Sequence, residues 1–310
     1  ELPAGDTLVA VLYSSLNYKD GLAVTGRGKI IRGDYPFVPG IDLVGRIEET
    51  ESARFNPGDL VIGTGWGLGE AHWGGYAQVQ RVESSWLVPL PADLSPQDAM
   101  TMGTAGLTAM LAVMALKDHG VTPGSGEVVV SGASGGVGSI SVALLAHEGF
   151  NVVASTGSAE AGEYLLRLGA HRVIDRGLLG EGPKRPLDSA QWAGAVDSVG
   201  GATLAAILSR LQTHGSVAAC GLAGGHELHT TVFPFILRGV NLLGIDSNTC
   251  PNDLRERAWS YLSHALTEDM LGEIRSAIIG LEEIPEFSER LLAGDLRGRV
   301  VVDVNRYPSS

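Results

Sequence analysis

The sequence predicts an α/β protein made of a doubly wound parallel sheet and a smaller β-rich domain. An apolar strand, a glycine cluster and an apolar helix follow one another without a break over 128–145. Downstream, strand-like and helix-like stretches alternate, as parallel sheets with crossover helices require. Upstream, from Thr7 to about Pro91, short strands are punctuated by turns and no helical period is sustained.

Along the chain, the residues before Thr7 read as a turn into a strand, which suggests a further strand upstream. Strands are expected over 8–13, 43–48, 60–62, 76–81 and 86–88. Ser95-Pro96-Gln97-Asp98 offers a cap, a proline at the first helical position and an acid in the first turn, so a helix starts there. Thr104 to Leu116 reads as a buried helix, shorter than the roughly 20 residues of a membrane span. The alternation then places strands at 128–130, 151–155, 172–174, 194–198, 216–220 and 241–244, with helices such as 159–168 and 201–211 between them. The tail breaks the pattern, with helices over 255–266 and 281–292 and a strand over 298–303, and is expected to pack back on the first domain. The resulting division is 1–98 with 248–310, and 99–247.

At 310 residues the chain is long enough for about two domains. Its net charge of −13 would repel a polyanion, so nucleic acid is excluded as a partner and any phosphate must be met by a local basic pocket or by backbone amides. Cys220 and Cys250 are too few for a disulfide framework or a four-cysteine zinc site, and a reducing, cytoplasmic setting is expected. No leader and no membrane-spanning stretch is visible.

The glycine cluster carries the first functional expectation. Ala133-x-Gly135-x-x-Gly138, set between a strand and a helix, is a dinucleotide fingerprint with one substitution. This is the Rossmann arrangement, in which backbone N–H groups at a helix start cradle a pyrophosphate; Ser134, Gly135, Gly136 and Val137 are its expected contacts. The same letters fit the short-chain dehydrogenase turn, but no tyrosine after Gly138 is followed four residues later by lysine. After the second strand stands Ser155-Thr156-Gly157-Ser158, where an NAD enzyme keeps an acid for the ribose diol. Hydroxyls there and Arg176 beyond the third strand favour NADPH over NADH; Ser158 alternatively serves only to cap the next helix. Val199, Cys220-Gly221-Leu222 and Ile245-Asp246-Ser247 follow later strands at the carboxyl ends where such sheets bind ligands, with Cys220 as an apolar wall rather than a nucleophile.

Taken in order, Ser15-Leu-Asn-Tyr-Lys-Asp20, Pro39-Gly-Ile-Asp-Leu-Val-Gly45, Gly103-Thr-Ala-Gly-Leu-Thr-Ala-Met110, Gly132-Ala-Ser-Gly-Gly-Val-Gly138 and Ala218-Ala-Cys-Gly-Leu-Ala-Gly-Gly225 resemble the medium-chain dehydrogenases/reductases. Within them the chain is similar to the zinc-free, quinone-oxidoreductase-like branch that includes acrylyl-CoA reductase. The resemblance implies a Rossmann domain with a GroES-like catalytic domain, NADPH as cofactor, and an acyl-CoA or enone as small-molecule substrate. Where zinc enzymes of the superfamily carry a cysteine and Gly-His-Glu, this chain has Asn17 and Gly40-Ile41-Asp42, so no catalytic metal is expected.

The resemblance places Thr104 and Thr108 beside the nicotinamide, and Asn17, Tyr18, Lys19 and Asp20 at the reactive strand exit. There Asn17 and Tyr18 would orient and donate hydrogen bonds while Lys19 and Asp20 pair; the bland alternative is a solvated turn. The proton donor is either a side chain or water. Arg27, Lys29 and Arg32 either meet coenzyme A phosphates or form a solvated loop. The sixth strand, as a sheet edge, suits a homodimer. A quinone or enone reductase, and a non-catalytic NADPH-binding sensor, remain the alternatives.

Overall fold

The computed structural model describes residues 2–158 and 160–306. These form two compact units: the residues up to Leu107 together with those from Ser247 onward, and Thr108–Asp246.

In the first unit, β1 (Thr7–Leu16) leads into α1 (Tyr18–Thr25), followed by β2 (Asp42–Thr50), β3 (Leu60–Thr64), β4 (Val79–Val82), β5 (Leu87–Pro89) and the start of α2 (Pro96–Asp118). In the second unit come β6 (Glu127–Val130), α3 (Gly136–His147), β7 (Asn151–Thr156), α4 (Ala161–Arg167), β8 (Arg172–Asp175), α5 (Gly177–Gly180), β9 (Trp192–Asp197), α6 (Gly201–Arg210), β10 (Leu211–Ala219), α7 (Phe233–Arg238) and β11 (Asn241–Gly244). The chain then returns to the first unit with α8 (Asn252–Ala265), α9 (Glu268–Ile274), β12 (Arg275–Ile279), α10 (Ile284–Ala293) and β13 (Arg299–Asp303).

The second unit is a six-stranded sheet in the order β11-β10-β9-β6-β7-β8, and every pairing is parallel. The apolar runs expected of strands covered on both faces are buried: Val128, Val129, Val130, Val152 and Val153 have no exposed surface. Burying a valine of this kind contributes about 1.5–3 kcal/mol. The order reverses between β6 and β9, so the glycine turn after β6 sits at the switch point where such sheets bind ligands. The helix expected over 159–168 runs from Ala161 to Arg167, and Ala159 lies outside the described residues.

The first unit carries a seven-stranded sheet, β12-β13-β1-β2-β3-β5 with β4 paired to β1. β13 pairs antiparallel with β1, which adds the end of the chain to this sheet. Val9, Val11, Leu16, Leu43, Ile47, Val61, Leu87, Val300 and Val302 form its core.

Several elements differ from the sequence expectation. Asn17 to Asp20, expected at a strand exit, instead cap and open α1, because Asn17 and Asp20 make one half of a capping box: the Asn17 N–H donates to Asp20 Oδ2 at 3.0 Å. Gly26 closes this helix in the left-handed conformation, φ 66°. β12 was not anticipated; its apolar residues are too few to show a period. The apolar helix α2 is longer than Thr104–Leu116, and by length and composition alone it could cross a membrane. It is instead a core helix, 89% of its most apolar window being buried, and Gly103 interrupts it at φ 52°, ψ −151°.

Candidate active site

In the second unit the turn after β6 is built by close backbone approach. Gly132 stands at φ 57°, and a Cβ there would lie 2.7 Å from Ser198 Oγ. A Cβ on Gly138 would lie 2.2 Å from the Gly132 carbonyl oxygen, so only glycine lets α3 start so close to β6. The Ala133 N–H donates to the Ser155 carbonyl at 3.0 Å, which pins the turn to the end of β7. The N–H groups of Gly136, Val137 and Gly138 open the twelve-residue α3, where no carbonyl lies four residues back within the helix, and they suit an anion.

At the end of β7 the Thr156 hydroxyl donates to Ser134 Oγ at 3.1 Å and accepts from the Ser158 N–H at 3.2 Å. Ser158 Oγ accepts from the Ala161 N–H at 3.3 Å, so Ser158 does the capping work that its position suggested. Arg176 lies directly over Gly157, where a Cβ would come within 2.4 Å of Arg176 Nε. Its exposed guanidinium pairs with no described residue. Two hydroxyls, an available guanidinium and no acid at this strand end fit a 2′-phosphorylated adenosine.

An organising residue that sequence reasoning missed is Asp197. Buried at the end of β9, it accepts from Ser131 Oγ at 2.5 Å, from the Gly200 N–H at 2.8 Å and from the Val199 N–H at 3.4 Å. Burial raises its carboxyl above the usual range, against those hydrogen bonds. An acid ending the wholly buried strand Trp192–Asp197 was a readable signal. The Cys220 N–H and Sγ both lie on the Asp197 carbonyl, and burial pushes this thiol up to about 12, which disfavours a thiolate. A Cβ on Gly221 would lie 2.3 Å from the Ser198 carbonyl, while Leu222 is exposed. The Ile245 N–H donates to Ala219 and Asp246 is exposed; both belong to this unit with Thr108, whereas Thr104 and Ser247 belong to the other.

In the first unit a buried polar cluster surrounds Asp42. Its Oδ2 accepts from Ser15 Oγ at 2.5 Å, Asn17 Nδ2 at 2.9 Å and the Thr104 N–H at 3.0 Å, and its Oδ1 accepts from the Thr104 hydroxyl. Thr104, expected beside the nicotinamide, therefore directs its hydroxyl to Asp42. Gly103 makes this approach possible, since a Cβ there would lie 2.4 Å from Asp42 Oδ2. Asn17 Nδ2 also donates to Asp20 Oδ2 at 3.1 Å, so both carboxylates hold its amide N–H groups. The expectation that Asn17 donates to substrate is thereby corrected, because an amide nitrogen has only two hydrogens.

Asp20 is fully buried and also accepts from the Ile41 N–H at 3.0 Å. Burial, with the Asp42 charge added, pushes its carboxyl up to about 7. Burial and the same two carboxylates hold the Tyr76 phenol well above its usual range.

The expected Lys19–Asp20 pair does not form. Lys19 Nζ bonds Glu70 Oε1 at 2.7 Å, because adjacent residues on a helix point about 100° apart. Glu70, nearly buried, also takes Arg32 at 2.8 Å, and Arg27 pairs with Glu289 at 2.5 Å; only Lys29 of the basic loop lacks an ion pair with a described residue. Tyr18 is 46% exposed, and its hydroxyl has no partner among the described residues.

Comparison with known proteins settles the family. Residues 3–92 match the alcohol dehydrogenase GroES-like domain and residues 136–264 the zinc-binding dehydrogenase domain. The chain is 53% identical over 98% of its length, and 92% of the relative's, to "Acrylyl-CoA reductase AcuI" of Ruegeria pomeroyi. The chain belongs to the medium-chain dehydrogenase/reductase superfamily. Another member of that superfamily, the "Putative quinone oxidoreductase YhfP" of Bacillus subtilis, is 47% identical over 97% of this chain and 91% of its own. The crystal structure of the yhdH oxidoreductase from Salmonella enterica in complex with NADP shares 50% identity, covers 98% of this chain and 93% of its own, and superimposes with a TM-score of 0.95. That of B. subtilis yhfP with NAD bound has 46% identity and a TM-score of 0.93, covering 98% of this chain and 92% of its own.

Although one matched domain of the superfamily is described as zinc-binding, no three His, Cys, Asp or Glu side chains gather as a metal site among the described residues. Asn17 and Ile41 stand where the resemblance puts a cysteine and a histidine, and the Asn17 amide donates to Asp20 and Asp42.

Proposed function

We propose that this chain is an NADPH-dependent, metal-free reductase of α,β-unsaturated acyl-CoA thioesters, converting acrylyl-CoA to propionyl-CoA. The near-full-length likeness to the R. pomeroyi acrylyl-CoA reductase carries this reading. The preference for NADPH is supported by the Thr156, Ser158 and Arg176 arrangement and by the NADP in the yhdH structure.

When bound, NADPH supplies the hydride that the substrate's β-carbon accepts. Negative charge then gathers on the thioester oxygen, where a placed donor lowers the barrier, and a proton taken up at the α-carbon from water or a side chain gives the propionyl thioester. Of the four polar residues at the β1–α1 corner, Asn17 has its N–H groups turned inward, Asp20 is buried and Lys19 is paired. Tyr18 alone presents an open hydroxyl, and it is the residue that holds that oxygen. Asn17, Asp20 and Asp42 hold the corner in place. Lys29, Arg32 and Arg27 meet the coenzyme A phosphates, the last two by exchanging carboxylate partners.

The decisive experiment follows NADPH consumption with acrylyl-CoA for the wild type and Tyr18→Phe. Turnover by the first and a loss of about 10²-fold in kcat by the second support the reading. Equal rates would remove Tyr18 from the chemistry.

A second reading, an NAD(P)H-dependent quinone reductase, is favoured by the likeness to B. subtilis YhfP. It predicts quinone turnover that is indifferent to Arg27, Lys29 and Arg32. The proposal includes a cytoplasmic location, supported by the lack of a disulfide between Cys220 and Cys250, and a homodimer. The dimer is supported by the edge strand β11, with Leu242 exposed, and by α7, whose Phe233, Ile236 and Leu237 face solvent. Light scattering and Ile236→Glu test it.

A further inference from the structure

We propose that Arg299, on the last strand of the chain, is a positioning residue for the reaction, acting through Ser15 and Asp42 on the corner that carries Asn17 and Tyr18. The inference rests on the reading above, in which that corner does the chemistry.

Arg299 is 4% exposed, and its guanidinium uses each nitrogen separately. Nη2 donates to Ser15 Oγ at 2.7 Å, Nη1 to the Leu16 carbonyl at 3.1 Å and Nε to the Thr101 carbonyl at 3.2 Å. Ser15 and Leu16 are the last residues of β1, immediately before Asn17, so two of these bonds fix the strand end from which the corner springs. The third fixes α2 just before its break at Gly103.

Ser15 relays the charge. Its Oγ accepts from Arg299 and donates to Asp42 Oδ2 at 2.5 Å, while Arg299 Nη2 itself lies 3.8 Å from that oxygen. Asp42 Oδ2 then accepts from Asn17 Nδ2. One continuous path therefore runs from guanidinium to serine, carboxylate and amide, and its last member is the N-cap of the helix whose first residue is Tyr18. Asp20 and Asp42 share this buried cluster, and Arg299 is the cation within it. Without that cation, the buried Asp42 carboxylate is left beside Asp20 with no counter-charge, and the Asn17 amide that bridges the two loses its fixed setting.

No local pattern in the sequence announces this role. An arginine opening an apolar strand reads as a solvated strand end, and its partners lie 198 to 284 residues away.

The test compares Arg299→Gln with Arg275→Gln. Arg275 is a control anchor from the same tail, bound to Asp98 at 2.8 Å and to Thr101 Oγ1 at 3.0 Å and touching nothing at the corner. For each protein, kcat with acrylyl-CoA, the NADPH dissociation constant by fluorescence, and the thermal midpoint are measured. The expected result is a fall in kcat of about 10²-fold for Arg299→Gln with NADPH affinity within twofold, while Arg275→Gln loses stability but keeps kcat.

Partial recovery of kcat in Asp42→Asn/Arg299→Gln, which removes the stranded charge, supports the same relay. If Arg299→Gln does not accumulate as folded protein, Arg299→Lys is read by the same criteria. A kcat that falls only in step with the folded fraction, or equally in both single variants, overturns the inference and leaves the reductase reading intact. A wild type that reduces no enoyl thioester overturns both.

Discussion

Ser131 Oγ donates to Asp197 Oδ1 at 2.5 Å, joining the end of β6 to the end of β9 one residue before the glycine turn. The same hydroxyl accepts from the Ser198 N–H at 3.2 Å, so one small side chain holds both strand ends. A buried hydrogen bond to a carboxylate contributes about 1.5–3 kcal/mol. Ser131→Ala should therefore loosen the turn and weaken NADPH binding by about tenfold or more, read by fluorescence titration. Unchanged affinity would show that the turn is held without this bond.

Arg176→Ala should erode the preference between cofactors. Its guanidinium lies over Gly157 and pairs with no described residue, and NADH offers it no phosphate. The expected outcome is about a tenfold rise in KM for NADPH with that for NADH unchanged. Parallel losses for both cofactors would place Arg176 in the framework instead.

The second unit was legible because its signals are local. A strand, a glycine turn and a helix are written within about 18 residues, and each later strand is a short apolar run closed by a turn. The first unit was legible only in part. Asn17-x-x-Asp20 is a capping pattern visible in the sequence, yet without a long apolar period it did not announce α1. The partners of Lys19 and Arg32 were not readable, because Glu70 reaches both only through the fold. Asp42, Ser15 and Arg299 meet through strand pairing across almost the whole chain, which no spacing rule encodes.

Asp20 gives stability a distinct pH dependence. Its carboxyl is pushed from 3.8 to about 7 by burial and by Asp42, so the folded protein keeps a proton that the unfolded chain has lost. The folded state thus binds more protons between those values, and stability contributed by the neutral group falls as pH rises through that window. The slope is at most about 1.4 kcal/mol per pH unit. Urea unfolding of the wild type at pH values on either side of this window should show a loss on the alkaline side that Asp20→Asn lacks. A wild type and variant with parallel pH profiles would show that Asp20 is ionised throughout.

The basic loop distinguishes the two enzymatic readings. Replacing Arg27, Lys29 and Arg32 together by alanine should raise KM for acrylyl-CoA by about tenfold, and leave KM for the acrylyl pantetheine thioester, which lacks the nucleotide phosphates, unchanged. Stability should change little, since exposed pairs such as Arg27–Glu289 contribute about 0–1 kcal/mol. If both substrates suffer equally, the loop shapes the fold around Glu70 and does not read phosphate.

The most direct measurement is NADPH oxidation by the purified chain against acrylyl-CoA, crotonyl-CoA and a benzoquinone, with NADH run in parallel and metal content determined on the same sample. The account predicts fastest turnover with acrylyl-CoA and NADPH, undiminished after chelation. Turnover that requires a bound transition metal, or NADPH that binds tightly yet is consumed with no acceptor, would contradict it.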